Sequence, residues 1–287
     1  MKPCRLIING DDFGASREVN EAIILAHRRG ILTSASLMVS GPACEHAIDL
    51  AKENPLLAVG LHVTLVAGHS VLPPWQIPHV AAPNGTFQSD PAMAGLKYFF
   101  SRGARDELFN EIAAQFEKFS RSGLRFSHVD SHCHLHVHPV VLDAIMKIAE
   151  SYRIKRIRVP ADDFFTALPF LKSPLFAAGY ALVFKLLTAR MKRKLGARGF
   201  IFPRRVYGNM LTGAMNLDYV LSLLDRLPPG TGEIYFHPAL PSFATVPDAG
   251  RLQRFRELCI LLDSKAQAKI QRLGIIPSTY FDLEKDA

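Results

Sequence analysis

Apolar residues recur along the chain at two periods, and their alternation sets out an ordered series of elements. Arg5 to Asn9 reads as a buried first strand through Leu6, Ile7 and Ile8. Ser16 then supplies an N-cap for a helix whose stripe is Val19, Ala22, Ile23 and Ala26, and Gly30 ends it. A strand over Ile31 to Val39, a helix over Pro42 to Glu53 and a strand over Leu56 to Leu65 continue the alternation. Residues 66–95, rich in Pro, Gly and Asn, break it with an irregular excursion of the length that lids and substrate walls take. Leu108, Ile112, Ala113, Phe116 and Phe119 recover helical spacing over Arg105 to Arg121. Beyond them come a helix over Val140 to Tyr152, a strand over Ile154 to Val159, and a helix capped by Asn216 or Asp218 and running through Leu227. A strand over Glu233 to Phe236, a mostly helical stretch from Arg251 to Leu273 and a last strand at Ile275 to Pro277 close the series. Strands alternating with helices in this way imply a parallel sheet, open or curled into a barrel, in one α/β domain of 287 residues.

One stretch stands apart. Between His128 and His138 every even position is His or Asp (His128, Asp130, His132, His134, His136, His138), and the odd positions are mostly small or apolar. A period of two predicts an extended strand with a polar row on one face and a packing row on the other. Cys133 falls on the packing row, which predicts a buried thiol. Alternate residues of a strand lie roughly 6.6 Å apart, whereas a metal–imidazole bond is about 2.0–2.1 Å. Neighbouring even positions therefore can share an ion and the ends of the row cannot. A further ligand must come from elsewhere, and a carboxylate would supply the negative charge that imidazoles lack. Asp11 and Asp12, in the turn after the first strand, stand where α/β proteins place their chemistry; read alone, they are equally well turn and cap residues.

Composition narrows the setting. The chain is 48% hydrophobic, enough for a large core, and Cys4, Cys44, Cys133 and Cys259 form no C-x-x-C pair, which points to a reducing cytosol. The opening residues are too short an apolar run for a secretory signal, and Pro55, Pro73, Pro74, Pro78 and Pro83 interrupt the uncharged stretch from Asn54 to Ser89. The net charge of +8 is concentrated: Phe164 to Asn216 holds nine Lys or Arg and no Asp or Glu. Within it, Ser173 to Leu195 has an apolar front half and a cationic end, with Lys185, Arg190, Lys192, Arg193 and Lys194. Such a helix suits an anionic membrane surface, and equally a barrel helix with a solvated tail. No recognition module or interleaving of aromatics with charge supports nucleic-acid binding.

Three motifs in order, Asn9-Gly10-Asp11-Asp12-Phe13-Gly14, Gly60-Leu61-His62 and His128-Val129-Asp130-Ser131-His132-Cys133-His134-Leu135-His136 with Pro139, resemble the YdjC-like carbohydrate deacetylases, and His237-Pro238 extends the likeness. Gly10 departs from the Ala usual there. The resemblance implies an irregular TIM-like (β/α) barrel in a single domain, residues 1–287, with the basic apolar segment at about 164–205 as an insert. It implies one divalent ion, Mg or Zn, held by Asp12, His62 and His132, with Asp11 as general base. His237 or His134 would then return a proton to the leaving amine, and Asp130 would orient a ligand imidazole. The remaining histidines, His128, His136 and His138 in the row and His27, His46, His69 and His79 outside it, are expected to be structural or at the surface. The basic segment resembles the hopanoid-biosynthesis-associated branch, which implies an N-acetylglucosaminyl group on a polycyclic lipid and a cytoplasmic enzyme, peripheral on the inner membrane face. Alternatives are a soluble chitooligosaccharide deacetylase, a metal-dependent phosphoesterase or amidohydrolase, and a non-catalytic sugar- or lipid-binding protein with a structural metal; a homodimer is compatible with any of them.

Overall fold

A computed structural model describes residues 3–161, 164–241 and 249–285. The elements follow in the order β1 (Cys4–Phe13), α1 (Arg17–Arg29), β2 (Ser34–Leu37), α2 (Cys44–Glu53), β3 (Ala58–Val63), α3 (Pro91–Phe100), α4 (Arg102–Arg121) and β4 (Val129–Ser131). After β4 come α5 (Pro139–Ser151), α6 (Phe164–Ala167), α7 (Pro174–Ala197), β5 (Arg205–Tyr207), α8 (Leu217–Leu224), β6 (Gly230–Phe236), α9 (Ala249–Leu262), α10 (Ser264–Arg272) and β7 (Ile276–Ser278). Local signals explain five of the helix starts: Ser16, Asp90, Ser101, Asn216 and Asp263 each accept a backbone N–H in the first turn of the helix they precede.

The sheet runs β4-β3-β2-β1-β6-β5, all parallel, and β7 pairs with the first residues of β1. Its central strands are buried on both faces, as in parallel sheets covered by helices. The sheet curls into a half-barrel, and the full barrel is not closed. Among the described residues, single bridges, Val129 to Ile157 and Arg156 to Ile201, stand between β4 and β5 in place of a continuous ladder. The strand expected over Ile154 to Val159 fails to form for two reasons. The Arg158 carbonyl accepts from His136 Nε2 at 3.1 Å, and Pro160 has no N–H to offer.

The histidine stretch is not one strand. Extended backbone ends at Ser131, and a 3-10 turn occupies His132–Val137, with Cys133 (φ 53°) and His134 (φ 52°) in the left-handed region. The turn breaks the period of two, so Cys133 is exposed rather than buried. Within the row, His128 and His136 are fully buried structural residues and His138 is half-buried. His128 stacks on Tyr280 at 3.8 Å, and burial pushes its imidazole down to about 3, so it packs as a neutral ring. Outside the row, His69 and His79 are exposed, while His46 is half-buried beside Asn20.

The long helix α7 also departs from a simple cationic tail. Lys194 pairs with Asp143, and Lys192 Nζ lies 3.4 Å from the Arg204 carbonyl; Lys185, Arg190 and Arg193 are exposed. Among the described residues no helix is long and apolar enough to cross a membrane.

Gly60 lets β3 lie against His128: a Cβ there would stand 2.4 Å from the imidazole. Gly60→Ala is expected to destabilise the fold by about 1–3 kcal/mol, read as a lower denaturant midpoint at unchanged slope.

Candidate metal centre

The C-terminal ends of β1, β3 and β4 converge on one point. In a regular strand Asp11 and Asp12 would face opposite ways, but Asp12 has φ 64° and the β1–β2 register shifts between Gly10 and Phe13, so both carboxylates line the same cavity. Gly10 beside them is a packing matter: a Cβ would press on Ile23 and Leu32 at 2.9–3.0 Å. His62 on β3 is the register partner of Asp130 on β4, which puts both side chains on one face of the sheet. The turn after Ser131 swings His132 back toward β1.

Asp12, His62 and His132 each bring one ligand atom within 4.8 Å of the others, as do Asp11, His62 and Asp130 behind them. His132 Nδ1 lies 3.0 Å and His62 Nε2 3.6 Å from Asp12 Oδ1, and the two rings meet edge to face at 5.7 Å. That Oδ1 atom is fully buried, and among the described residues no donor completes a hydrogen bond to it. Its partner oxygen is satisfied by Arg254 Nη2 of α9 at 2.8 Å. A buried, unsatisfied carboxylate oxygen facing two imidazole nitrogens is the donor set a divalent cation takes.

Behind this group lies a second layer built around Arg158, which is completely buried. Its guanidinium grips both oxygens of Asp11 (2.7 and 2.8 Å), reaches Asp130 Oδ2 at 2.6 Å and Glu233 Oε1 at 2.6 Å, and lies over the Tyr235 ring. Asp130 Oδ1 in turn bonds His62 Nδ1 at 2.8 Å, which leaves Nε2 directed at Asp12. Ser36 donates to Asp130 Oδ2 at 2.9 Å, and Asn9 Nδ2 bridges Ser36 and Asp11. Glu233 also accepts from the Tyr280 hydroxyl.

The electrostatics favour added positive charge. The carboxylates of Asp11, Asp12, Asp130 and Glu233 face the guanidiniums of Arg158 and Arg254, leaving a negative excess that a divalent cation with two neutral imidazoles offsets. Burial alone would push the Asp12 carboxyl up, but the His132 imidazole 3.0 Å away, with the charges of His237 and Arg254, holds it well below the usual carboxylate range. Burial would likewise lower His132, yet the Asp12 carboxylate 3.0 Å from its Nδ1 raises it to about 10. Burial also opposes the charged form of His62, and Asp130 outweighs it, raising the imidazole.

His134 and His237 sit at the edge of the same cavity. His134 Nε2 bonds the Tyr235 hydroxyl at 2.9 Å, and burial with the nearby Arg158 charge pushes its ring well below the ordinary histidine value. His237 is partly exposed; its backbone N–H donates to Glu257 Oε2 at 2.6 Å, and its Nδ1 lies 3.9 Å from the same oxygen. The cavity holds about 1240 Å³ and is walled opposite the centre by Leu96, Phe99 and Phe100 of α3 and by Val183, Phe184 and Leu187 of α7.

Sequence reasoning missed Arg158, Glu233, Arg254 and Glu257. The first two carried a signal, a charge inside an apolar strand-like run (Ile157-Arg158-Val159 and Glu233-Ile234-Tyr235). The other two lie in an ordinary helical pattern and carried none.

A parallel β/α half-barrel with a carboxylate and two imidazoles gathered at its strand ends is a barrel with a candidate single-metal centre. Residues 5–272 match the YdjC-like protein family, and the chain belongs to that family. It is 34% identical to a carbohydrate deacetylase of Geobacillus stearothermophilus over 99% of both chains. It is 41% identical to a carbohydrate deacetylase of Brevibacillus brevis over 54% of this chain and 59% of that one. A solved structure of a proposed cellobiose-phosphate cleavage protein from Enterococcus faecalis V583 superposes with a TM-score of 0.79 at 26% identity, over 98% of this chain and 99% of that one.

Asp130→Asn removes the charge that orients His62 without changing side-chain size. Zn affinity measured by isothermal titration calorimetry is expected to fall about 10- to 100-fold, with the far-ultraviolet circular dichroism unchanged.

Proposed function

We propose that the chain is a metal-dependent hydrolase that removes the N-acetyl group from an acetylated amino sugar. The observation that carries this reading is the buried, unsatisfied Asp12 Oδ1 facing His62 and His132 on the floor of a large cavity. The shared description of the relatives, carbohydrate deacetylase, supports the reaction type.

A divalent cation, Mg or Zn, held by Asp12, His62 and His132 would polarise the amide carbonyl and acidify a water beside it. The protein's own groups do the rest. Asp11 Oδ1 accepts from both Arg158 and Asn9, which uses its two lone pairs. Among the described residues Asp11 Oδ2 accepts only from Arg158 Nη1, which leaves one lone pair to take the proton of the attacking water. Arg158 thereby fixes the orientation of the base. His237 is the better-placed proton donor to the leaving amine: it lines the cavity and backs onto Glu257, whereas His134 has its Nε2 engaged by Tyr235. Asp130 and Arg158 do not face the substrate and act through His62 and Asp11.

The finer reading is an N-acetylglucosaminyl group carried on a hopanoid-type polycyclic lipid. The wall of Leu96, Phe99, Phe100, Val183 and Leu187 supports it, since a free oligosaccharide calls for hydroxyl-directed polar groups there and a polycyclic aglycone does not.

Acetate release by the metal-loaded protein, measured on chitobiose and on an acetylglucosaminyl glycolipid, tests both levels. Turnover of both, with a higher kcat/KM on the glycolipid, is expected; acetate from neither substrate would refute the hydrolase reading. Asp11→Asn should bind Zn as tightly as the parent and lose about 10²- to 10⁴-fold in kcat.

A further inference from the structure

The candidate centre accounts for the floor of the cavity and leaves its rim unexplained. Two helices flanking the 132–137 turn make that rim, and each carries apolar side chains into solvent. On α3, Phe100 is 76% exposed. On α7, Leu182, Val183 and Leu186 are all more than half exposed, and Leu186 reaches 66%. Neighbours at i and i+4, Leu96 with Phe100 and Leu182 with Leu186, make strips rather than scattered positions. Exposed apolar strips bordering a cavity mark a docking surface.

Charge identifies what docks. Lys185, Arg190 and Arg193 are exposed on α7, and the sequence from Phe164 to Asn216 has no acidic residue to offset them. A second copy of this chain on the same face is disfavoured, because a two-fold contact sets identical patches against each other and would oppose these cations. An anionic bilayer satisfies both features at once: the apolar strips enter the headgroup boundary and the cations meet lipid phosphates.

We propose that the α3–α7 rim docks on an anionic lipid bilayer, so that the cavity opens against the membrane and receives an amino-sugar lipid without its release into water. The cargo rests on the deacetylase reading; the docking does not.

Flotation with vesicles of phosphatidylcholine alone and of phosphatidylcholine with phosphatidylglycerol tests it. The full chain is expected to float with the anionic vesicles and to be released by salt. Each basic residue near such a surface is worth about fivefold in binding, so Lys185→Glu/Arg190→Glu should weaken it by at least about tenfold. Leu182→Ser/Leu186→Ser should weaken it comparably, and both pairs should release acetate from soluble chitobiose at the parent rate. No preference of the parent for anionic over neutral vesicles would overturn the proposal, as would a solution dimer, seen by sedimentation equilibrium, that either pair of substitutions dissociates. Vesicle binding without acetate release would sink the deacetylase reading and leave the docking standing.

Discussion

Burying several carboxylates at the mouth of a parallel sheet is the constraint the rest of this structure answers. Each such group, unpaired, carries a desolvation cost of several kcal/mol. Arg158 takes up most of that cost: one planar, five-donor group meets Asp11, Asp130 and Glu233 at once, which an ammonium could not do in a fixed geometry. With those three held, Asp12 is left with one oxygen bonded to Arg254 and the other facing two imidazole nitrogens. The polarity of the cavity floor is therefore set from behind, by residues that no substrate touches.

The fold was largely legible because strand and helix periods alternate cleanly and the caps sit where they are needed. The irregular parts were not. The turn at Cys133 and His134 uses left-handed backbone without glycine, so nothing in the residue types announces it. Tertiary bonds hold it instead: Ser131 Oγ accepts the His136 N–H and donates to the His136 ring. The incomplete barrel has the same origin, since His136 takes the Arg158 carbonyl that a ladder would have used.

The candidate site was legible in part. Alternation in the histidine row pointed to a candidate metal ligand there, and spacing left His132 and His134 undecided. The turn separates them, sending His132 to Asp12 and His134 to Tyr235. Arg254 was out of reach of any local pattern, because a helical arginine looks the same whether it meets solvent or a buried carboxylate.

That arginine ties α9 to Asp12 across 242 positions of the chain. The ring of charges is therefore completed last during synthesis, when the carboxy-terminal helices emerge and wrap back onto the first strand. Every shorter nascent chain carries the aspartate and both imidazoles without the clamp that steadies them. A premature stop between β6 and Arg254 thus removes that clamp together with β7, the strand that pairs with the start of β1.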